Sequence, residues 1–517
     1  MDWARLGGVV RRHWLFGLAL AGAIAVRVLV MLAFRPIMWF GGDSASYLAT
    51  GLRLIPDPGR VGGYGFFLWL LRPLHSFTVV AAVQHAMGLV IGVLIYLLVR
   101  RYGLPGWVAT LAAVPVFFDA YQLQLESDAV PDVPFGFMVF IALYLLLRSP
   151  AERRPSRTVP AAFVVGATAI VWPVGLVLLA VLLITLVIRR SGWLVLAAAV
   201  LAGALPVVGY AGWFSLHEHK FSLSQSNGVY LWSRTMSFAN CAVIKPPADE
   251  RALCPPAGPR MAASLYIWDE NSPLRAMPGG RFSARTNALA LNFAVRAVEA
   301  QPGGYLTAVG HDFALSFYWD RPVHPDAGIV DRYQFADATT AWVPAGMRAI
   351  GGGTVASDQA AYNGGAPAPT RAVQPFASWL VSYQRYVYLR GTLLAVILFG
   401  GGVAMIVRWR VRRGRGRTGE PGRRGAGALP WAFAVTILLV PPMVADFDLR
   451  YLVPAIPAAC LAAALAFAPR AAPSGQRRWT TSPAATGTSA SGSAAPDETR
   501  TSSLPSGSTP AARPETS

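Results

Sequence analysis

Charge is what this chain is short of. Of its 517 residues only 14% are charged, and Asp and Glu together number 26. Three cysteines and seven histidines are too few for a disulfide scaffold or a His/Cys zinc module. No phosphate-binding Gly-rich motif, dinucleotide fingerprint or metalloprotease helix occurs, which argues against a cytosolic energy source such as ATP. Gly351-Gly352-Gly353 reads as a loop, because no strand–helix context surrounds it.

What the chain has instead is apolar length. It is 54% hydrophobic, in runs that reach the roughly 20 residues a bilayer-crossing helix needs. Continuous runs rather than alternating ones exclude a β-barrel. The net charge of +19 does not mark a nucleic-acid binder. It collects in short loops, Arg11–Arg12, Arg100–Arg101, Arg153–Arg157, Arg189–Arg190 and Arg408–Arg424, which is the positive-inside pattern of cytoplasmic loops.

Taken in order, these signals predict spans at Trp14–Phe34, Phe77–Val99, Leu104–Tyr121 and Pro134–Leu147. Thr158–Ile188 has basic flanks at both ends, so it reads as a hairpin of two short helices breaking near Trp172-Pro173. Further spans follow at Trp193–Trp213, Leu389–Val407, Ala428–Val444 and Leu452–Phe467. The expectation is an all-α polytopic membrane protein of about ten transmembrane helices, with both termini cytoplasmic. Residues 1–213 form an N-terminal membrane module, 214–375 an extracytoplasmic domain, 376–469 a C-terminal membrane module and 470–517 a disordered tail.

Phe214–Ala372 is nearly neutral, with 13 Lys+Arg and 12 Asp+Glu, unlike the basic loops. Its Gly- and Pro-rich stretches and one amphipathic helix, about Ala284–Ala300, predict a domain of mixed α/β structure. Cys241 and Cys254 lie within it, and their spacing permits a disulfide on an oxidising face. Gln374–Tyr388 reads as an interfacial amphipathic helix.

The scarce acids fall in a pattern. Asp43, Glu126, Asp128, Asp132, Asp446 and Asp448 all sit at the predicted outer ends of spans. Carboxylates placed there can serve as a general base for an acceptor hydroxyl or hold a divalent cation such as Mg or Mn. Arg450 can bind a phosphate through two parallel N–H groups. Each acid also has a plain structural reading. Asp43 would cap the helix that follows it, Asp132 would serve a helix N-terminus, Asp128 and Asp132 would share a helix face, and Asp446 and Asp448 would pair with Arg450. Arg27 within the first span would snorkel outward or pair with an acid, and His85 would hydrogen-bond between helices.

Several stretches resemble the GT-C superfamily of membrane glycosyltransferases, and more narrowly the protein-mannosyltransferase and lipid A aminoarabinose-transferase group. They are Gly42-Asp43-Ser44 with Tyr47-Leu48, Gly63-Tyr64-Gly65-Phe66-Phe67-Leu68, the acidic loop Glu126–Phe135, and Arg450-Tyr451 with Pro454 and Pro457. The resemblance implies inverting transfer of a sugar from a polyprenyl-phosphate donor to an envelope glycan, lipid or protein acceptor, on the extracytoplasmic face of a bacterial cytoplasmic membrane. It implies Asp43 as the base and Arg450 with Tyr451 at the donor phosphate. Glu126, Asp128, Asp132, Tyr47 and Tyr64 would hold acceptor, cation or donor. Tyr64–Leu74 and Gln374–Tyr388 would line the path of the lipid. The chain departs from the pattern at Trp172-Pro173, where relatives carry Arg-Pro. Two other classes fit the composition: a transporter or flippase of a lipid-linked intermediate, which would place polar groups near mid-span, and a non-catalytic membrane scaffold.

Overall fold

Burying ten apolar stretches with their backbone hydrogen bonds closed leaves helix as the usable element, and the chain is mostly helical. The computed structural model describes residues 3–148, 155–338, 343–414 and 425–469. The expected disordered tail, the basic residues 415–424 and Arg153–Arg154 lie outside the described residues.

The first half runs α1 (Trp3–Ala33), α2 (Gly41–Arg53), α3 (Gly63–Leu71), α4 (Phe77–Arg101), α5 (Gly106–Phe118), α6 (Ala120–Ser127), α7 (Asp132–Leu147), α8 (Pro155–Val171), α9 (Val174–Ile188) and α10 (Trp193–Glu218). Among the described residues, five helical stretches are long and apolar enough to cross a membrane alone: His13–Ala33, Phe77–Arg101, Trp193–Glu218, Gly391–Val411 and Leu449–Ala466. The pair α5 and α6, bent by 50°, adds a sixth, and α7, α8, α9 and the helix Ala428–Val444 are shorter apolar helices. The ten expected stretches are thus helical, but four of them are shorter than a full crossing.

The break at Trp172-Pro173 is a reversal. Pro173 cannot donate a backbone N–H, α8 ends at Val171, and α9 folds back on it. A Cβ on Gly175 would come 2.3 Å from the Ala169 nitrogen. Both limbs pack on α10 at Gly203, whose Cβ would meet Leu179 at 2.6 Å, while a Cβ on Gly166 would meet the Gly203 carbonyl at 2.0 Å. Small residues let helix backbones approach where lipid supplies no hydrophobic drive between helices.

The expected outer loop Gln122–Val133 is different from a solvated loop. Asp119 ends α5 and caps α6 by accepting from the Tyr121 and Gln122 nitrogens, and residues 120–135 are buried throughout. Asp128 lies between α6 and α7, so it shares no helix face with Asp132. The chain after α6 pairs with the first outer stretch: Met38 donates to the Ser127 carbonyl at 2.7 Å and accepts from Ala129 at 3.0 Å.

Among the described residues, 214–375 are helices and loops rather than a mixed α/β domain. They hold α11 (Asn227–Thr235), α12 (Cys241–Ile244), α13 (Leu265–Trp268), α14 (Pro273–Ala276), α15 (Ala284–Ala300), α16 (Pro302–Leu315), α17 (Ala327–Asp331) and α18 (Val355–Tyr362). Among the described residues, the strands are β1 (Phe34–Arg35) and β2 (Arg371–Ala372), paired antiparallel. The Ser283 hydroxyl caps α15 by accepting from Thr286. Trp232, Phe293, Ala294, Leu253 and Ile267 build a small apolar core there, and Cys241 is bonded to Cys254 beside it.

The chain closes with α19 (Phe376–Tyr386), α20 (Gly391–Ala395) and α21 (Gly401–Gly414) joined by a π-helical turn, α22 (Ala428–Val444), and α23 (Ile456–Ala466) after two short 3-10 turns. Helix α19 buries Ala377, Leu380 and Gln384 and exposes Trp379 and Tyr386, the two-faced pattern of an interfacial helix.

Candidate functional site

Asp43 stands in the first turn of α2, where the positive end of the helix dipole favours a carboxylate. It is not the cap. The Ser44 hydroxyl accepts from the Phe40 nitrogen at 2.8 Å, and Gly41 takes a left-handed φ of +51°. A Cβ on Gly41 would come 2.6 Å from Arg332 Nη1, a mobile side-chain end, so it is the left-handed backbone that favours glycine there.

Each oxygen of Asp43 accepts from a different arginine. Arg60 Nη2 donates to Oδ1 at 2.5 Å, and Arg450 Nη1 donates to Oδ2 at 3.0 Å. Burial disfavours the charge on Asp43, but the two guanidiniums outweigh it and hold its pKa below the ordinary value. Arg60 comes from a turn held by Asp57. Asp57 accepts from the Gly59 nitrogen and from the Ser46 hydroxyl, and lies 3.5 Å from Arg60 Nη1.

Arg450 gathers the rest. Its Nε lies 4.0 Å from Asp132 Oδ1 and 3.9 Å from Asp448 Oδ2, and its guanidinium lies over the Phe40 ring at 5.3 Å and the Tyr451 ring at 5.5 Å. Tyr333 donates to Asp448 Oδ2 at 2.8 Å and stacks on Phe40 at 4.9 Å. Gln384 of α19 holds the Tyr333 carbonyl at 2.8 Å. Burial, only partly opposed by Arg450, pushes the Asp448 pKa up to about 6. Trp172 packs on Tyr451 at 4.9 Å and edge-on to Phe135 at 4.9 Å. An indole thus stands beside the site where the resemblance would put an arginine.

Glu126 lies apart from this cluster, whereas Tyr47 and Asp128 border it. Glu126 is fully buried and accepts from Arg27 at 2.8 Å and Gln122 at 2.8 Å, with His85 Nδ1 at 2.7 Å. Arg27 also donates to the Val116 and Phe117 carbonyls, so it pairs inward rather than snorkelling. This is an ion pair that joins α1, α4 and α6 and engages both oxygens of Glu126. Asp128 accepts from Gln124 at 2.5 Å. Tyr64 donates to Gln84 at 2.8 Å, and Gln84 holds the Glu126 and Asp128 carbonyls. Tyr47 is buried edge-on to Tyr64 at 5.3 Å. Asp446 accepts from the Ser264 nitrogen of the segment over the site at 2.8 Å.

Arg60 and Tyr333 were not legible as site residues. Arg60 follows a Pro-Gly turn with no motif around it, and Tyr333 is 115 residues from its acid.

The donor chemistry for a divalent cation is partial. Asp132 Oδ2 and Asp448 Oδ1 are buried without hydrogen-bond partners, and both belong to the cluster around Arg450. Among the described residues no group of three His, Cys, Asp or Glu is placed to hold a metal. Two carboxylates suit Mg, which takes its remaining oxygens from water and substrate phosphate.

No protein-family model matches the chain, and no curated protein matches it. Among solved structures it is similar to the Archaeoglobus fulgidus oligosaccharyltransferase tethered with an acceptor peptide containing the NVT sequon, at 13% identity and TM-score 0.37 over 88% of this chain and 49% of that one. It is also similar to archaeal oligosaccharyltransferase AglB from Archaeoglobus fulgidus in complex with an inhibitory peptide and a dolichol-phosphate, at 12% identity and TM-score 0.36 over 88% of this chain and 50% of that one. The chain spans about half the length of the solved structures it matches.

Proposed function

We propose that the chain is a GT-C-type membrane glycosyltransferase that moves a sugar from a polyprenyl-phosphate donor to an envelope acceptor on the extracytoplasmic face. The observation that carries this reading is the division of Asp43 between Arg60 and Arg450. In the free enzyme the carboxylate neutralises two cations, which makes it a weak base. An incoming donor phosphate takes Arg450, whose planar fork suits phosphate oxygens. Asp43 then loses part of its counter-charge, and its basicity rises in the presence of the group that needs it.

In the transfer, the acceptor hydroxyl oxygen bonds to the anomeric carbon and Asp43 takes its proton. The bond from that carbon to the phosphate oxygen breaks, and polyprenyl phosphate leaves with the electron pair, inverting the centre. Charge on the leaving phosphate is met by Arg450, a part-buried guanidinium in a setting that screens fixed charges less than open water does. A bound divalent cation, held by Asp132 and Asp448, would add positive charge at that phosphate. The indole of Trp172 would shape the wall beside Tyr451, and the exposed Trp69 and Leu70 on α3 would face the lipid path.

A transporter reading would look to the buried Arg27–Glu126–His85 group. In that group both Glu126 oxygens are engaged by Arg27, Gln122 and His85, so it does not favour carriage of a polar substrate.

The test uses purified protein in lipid nanodiscs, a panel of polyprenyl-phosphate sugars and a crude envelope acceptor extract. Release of polyprenyl phosphate is followed for wild type and Arg450→Gln. Consumption of one donor by wild type, lost in the variant, is expected. No consumption of any donor by a folded sample, or equal consumption by both, overturns the reading.

A further inference from the structure

The segment over the site holds an arrangement that the transfer mechanism does not use. Trp268, at the C-terminal end of α13, is 40% exposed, while its neighbours Tyr266 and Ile267 are buried in the apolar core. The indole is therefore partly open beside an anchored segment. Two guanidiniums lie against it, Arg60 and Arg281, each at 5.1 Å. The Phe282 ring lies 5.7 Å away and closes on Gly59, where a Cβ would come 2.9 Å from that ring.

The two arginines differ in one respect. Arg60 is neutralised by Asp43 and Asp57. Arg281 has a buried Nε with no hydrogen-bond partner, and among the described residues neither it nor the exposed Arg275 has an ion-pair partner. The acids next to the indole are not theirs: Asp269 accepts from the Asn271 nitrogen of its own turn at 2.7 Å, and Glu270 is exposed. Partial burial, then the charges of Arg275 and Arg60, push the Arg281 pKa below its ordinary value.

Asp43 thus has two unlike sides. Its Oδ2 faces Arg450, the arginine to which the proposed transfer assigns the donor phosphate. Its Oδ1 faces Arg60 and, through Arg60, the indole and Arg281. A base belongs between donor and acceptor, so the acceptor belongs on the Trp268 side.

We infer that Trp268, Arg281 and Arg275 form the acceptor subsite, and that the acceptor is an anionic saccharide. A sugar ring would lie on the open indole while its carboxylate or phosphate reaches the two unpaired arginines. The inference rests on the glycosyltransferase reading, which by itself leaves the acceptor class open.

The experiment measures binding to the full chain in nanodiscs by saturation-transfer NMR. The probes are trigalacturonate, neutral maltotriose and inorganic phosphate. Trigalacturonate is expected to bind in preference to maltotriose, and to weaken as salt screens the arginines. Arg281→Gln should weaken it about tenfold, the loss of one charge-assisted contact. Trp268→Ala should do the same, and Trp268→Phe should retain part of the binding if the alanine variant loses stability. Arg296→Gln makes the same charge change on the exposed face of α15, where Arg296 is 52% exposed, and should leave binding as in wild type. Equal binding of the two saccharides, or wild-type binding by Arg281→Gln, overturns the inference. So does full competition by an equal concentration of inorganic phosphate, which would mean an anion site without saccharide recognition. Donor consumption on the same samples separates the two readings. Trigalacturonate binding without consumption of any donor removes the transferase, and consumption without saccharide preference removes the subsite.

Discussion

Asp43→Asn separates a base from a clamp. The substitution keeps the shape and one acceptor oxygen, so one of the two arginines retains a hydrogen bond and the other loses its partner. A hydrogen bond to a charged group contributes about 1.5–3 kcal/mol, a loss that a chain with this much buried helix survives folded. If Asp43 is the base, removing it costs the chemical step about 10²- to 10⁴-fold. Binding of polyprenyl phosphate should move the other way, because Arg60 and Arg450 no longer spend their charge on a carboxylate. The assay reads turnover as released polyprenyl phosphate and reads affinity by equilibrium binding in nanodiscs. Turnover down by two orders or more, with phosphate binding equal or tighter, is the expected pair of results. Turnover within tenfold of wild type would refute the base role. Reduced turnover with weaker phosphate binding would refute it differently, by showing that Asp43 only holds two repelling arginines in place.

Arg27→Met should destabilise the chain by about 3–5 kcal/mol, because it leaves the buried Glu126 charge uncompensated, and adding Glu126→Gln should recover much of that in detergent thermal unfolding. Asp446→Asn should raise the thermal midpoint at pH 7.5. Burial pushes the Asp446 pKa up to about 6, so folding holds its proton more tightly than the unfolded chain does. The penalty of ionising it grows as pH rises from about 4 to 6, so the gain from Asn should shrink towards pH 4. Chelation with EDTA should stop donor consumption and Mg should restore it, through the unpartnered oxygens of Asp132 and Asp448; consumption untouched by EDTA would leave the phosphate to the arginines alone.

Hydropathy and charge placement read the helices well, because a span is a local property of about 20 residues. The α8–α9 reversal at Trp172-Pro173 and the bounds of α15 follow from a proline and from basic or Gly/Pro flanks that sit within the same stretch. Asp43 and Arg450 were legible as a pair only through the order of motifs, and the ion pair between them joins residues 407 apart in sequence. Glu126 misled because a carboxylate at a span end looks the same whether it faces water or Arg27. Arg60, Tyr333 and Trp268 were out of reach, since turns and tertiary packing place them against the site and no periodicity records that. The expected mixed α/β domain failed for a similar reason. Gly- and Pro-rich composition predicts frequent breaks, and here the breaks separate short helices.

The order of synthesis gives the stretch Phe34–Trp39 a further role. It runs between two later partners: Met38 donates to the Ser127 carbonyl and accepts from Ala129, while the Trp39 indole donates to the Ala368 carbonyl and the Thr370 hydroxyl donates to the Ile37 carbonyl. Closing loops of such unequal length makes the second partner the late one. A chain leaving the ribosome presents Asp43 early, but the lining from residues 368–372 arrives more than 300 residues afterwards, and Arg450 later still. Asp43 therefore lacks Arg450, and the wall from residues 368–372, until nearly all of the apolar segments have been made. On the proposed function, a half-made chain would hold the base without the arginine that meets the donor.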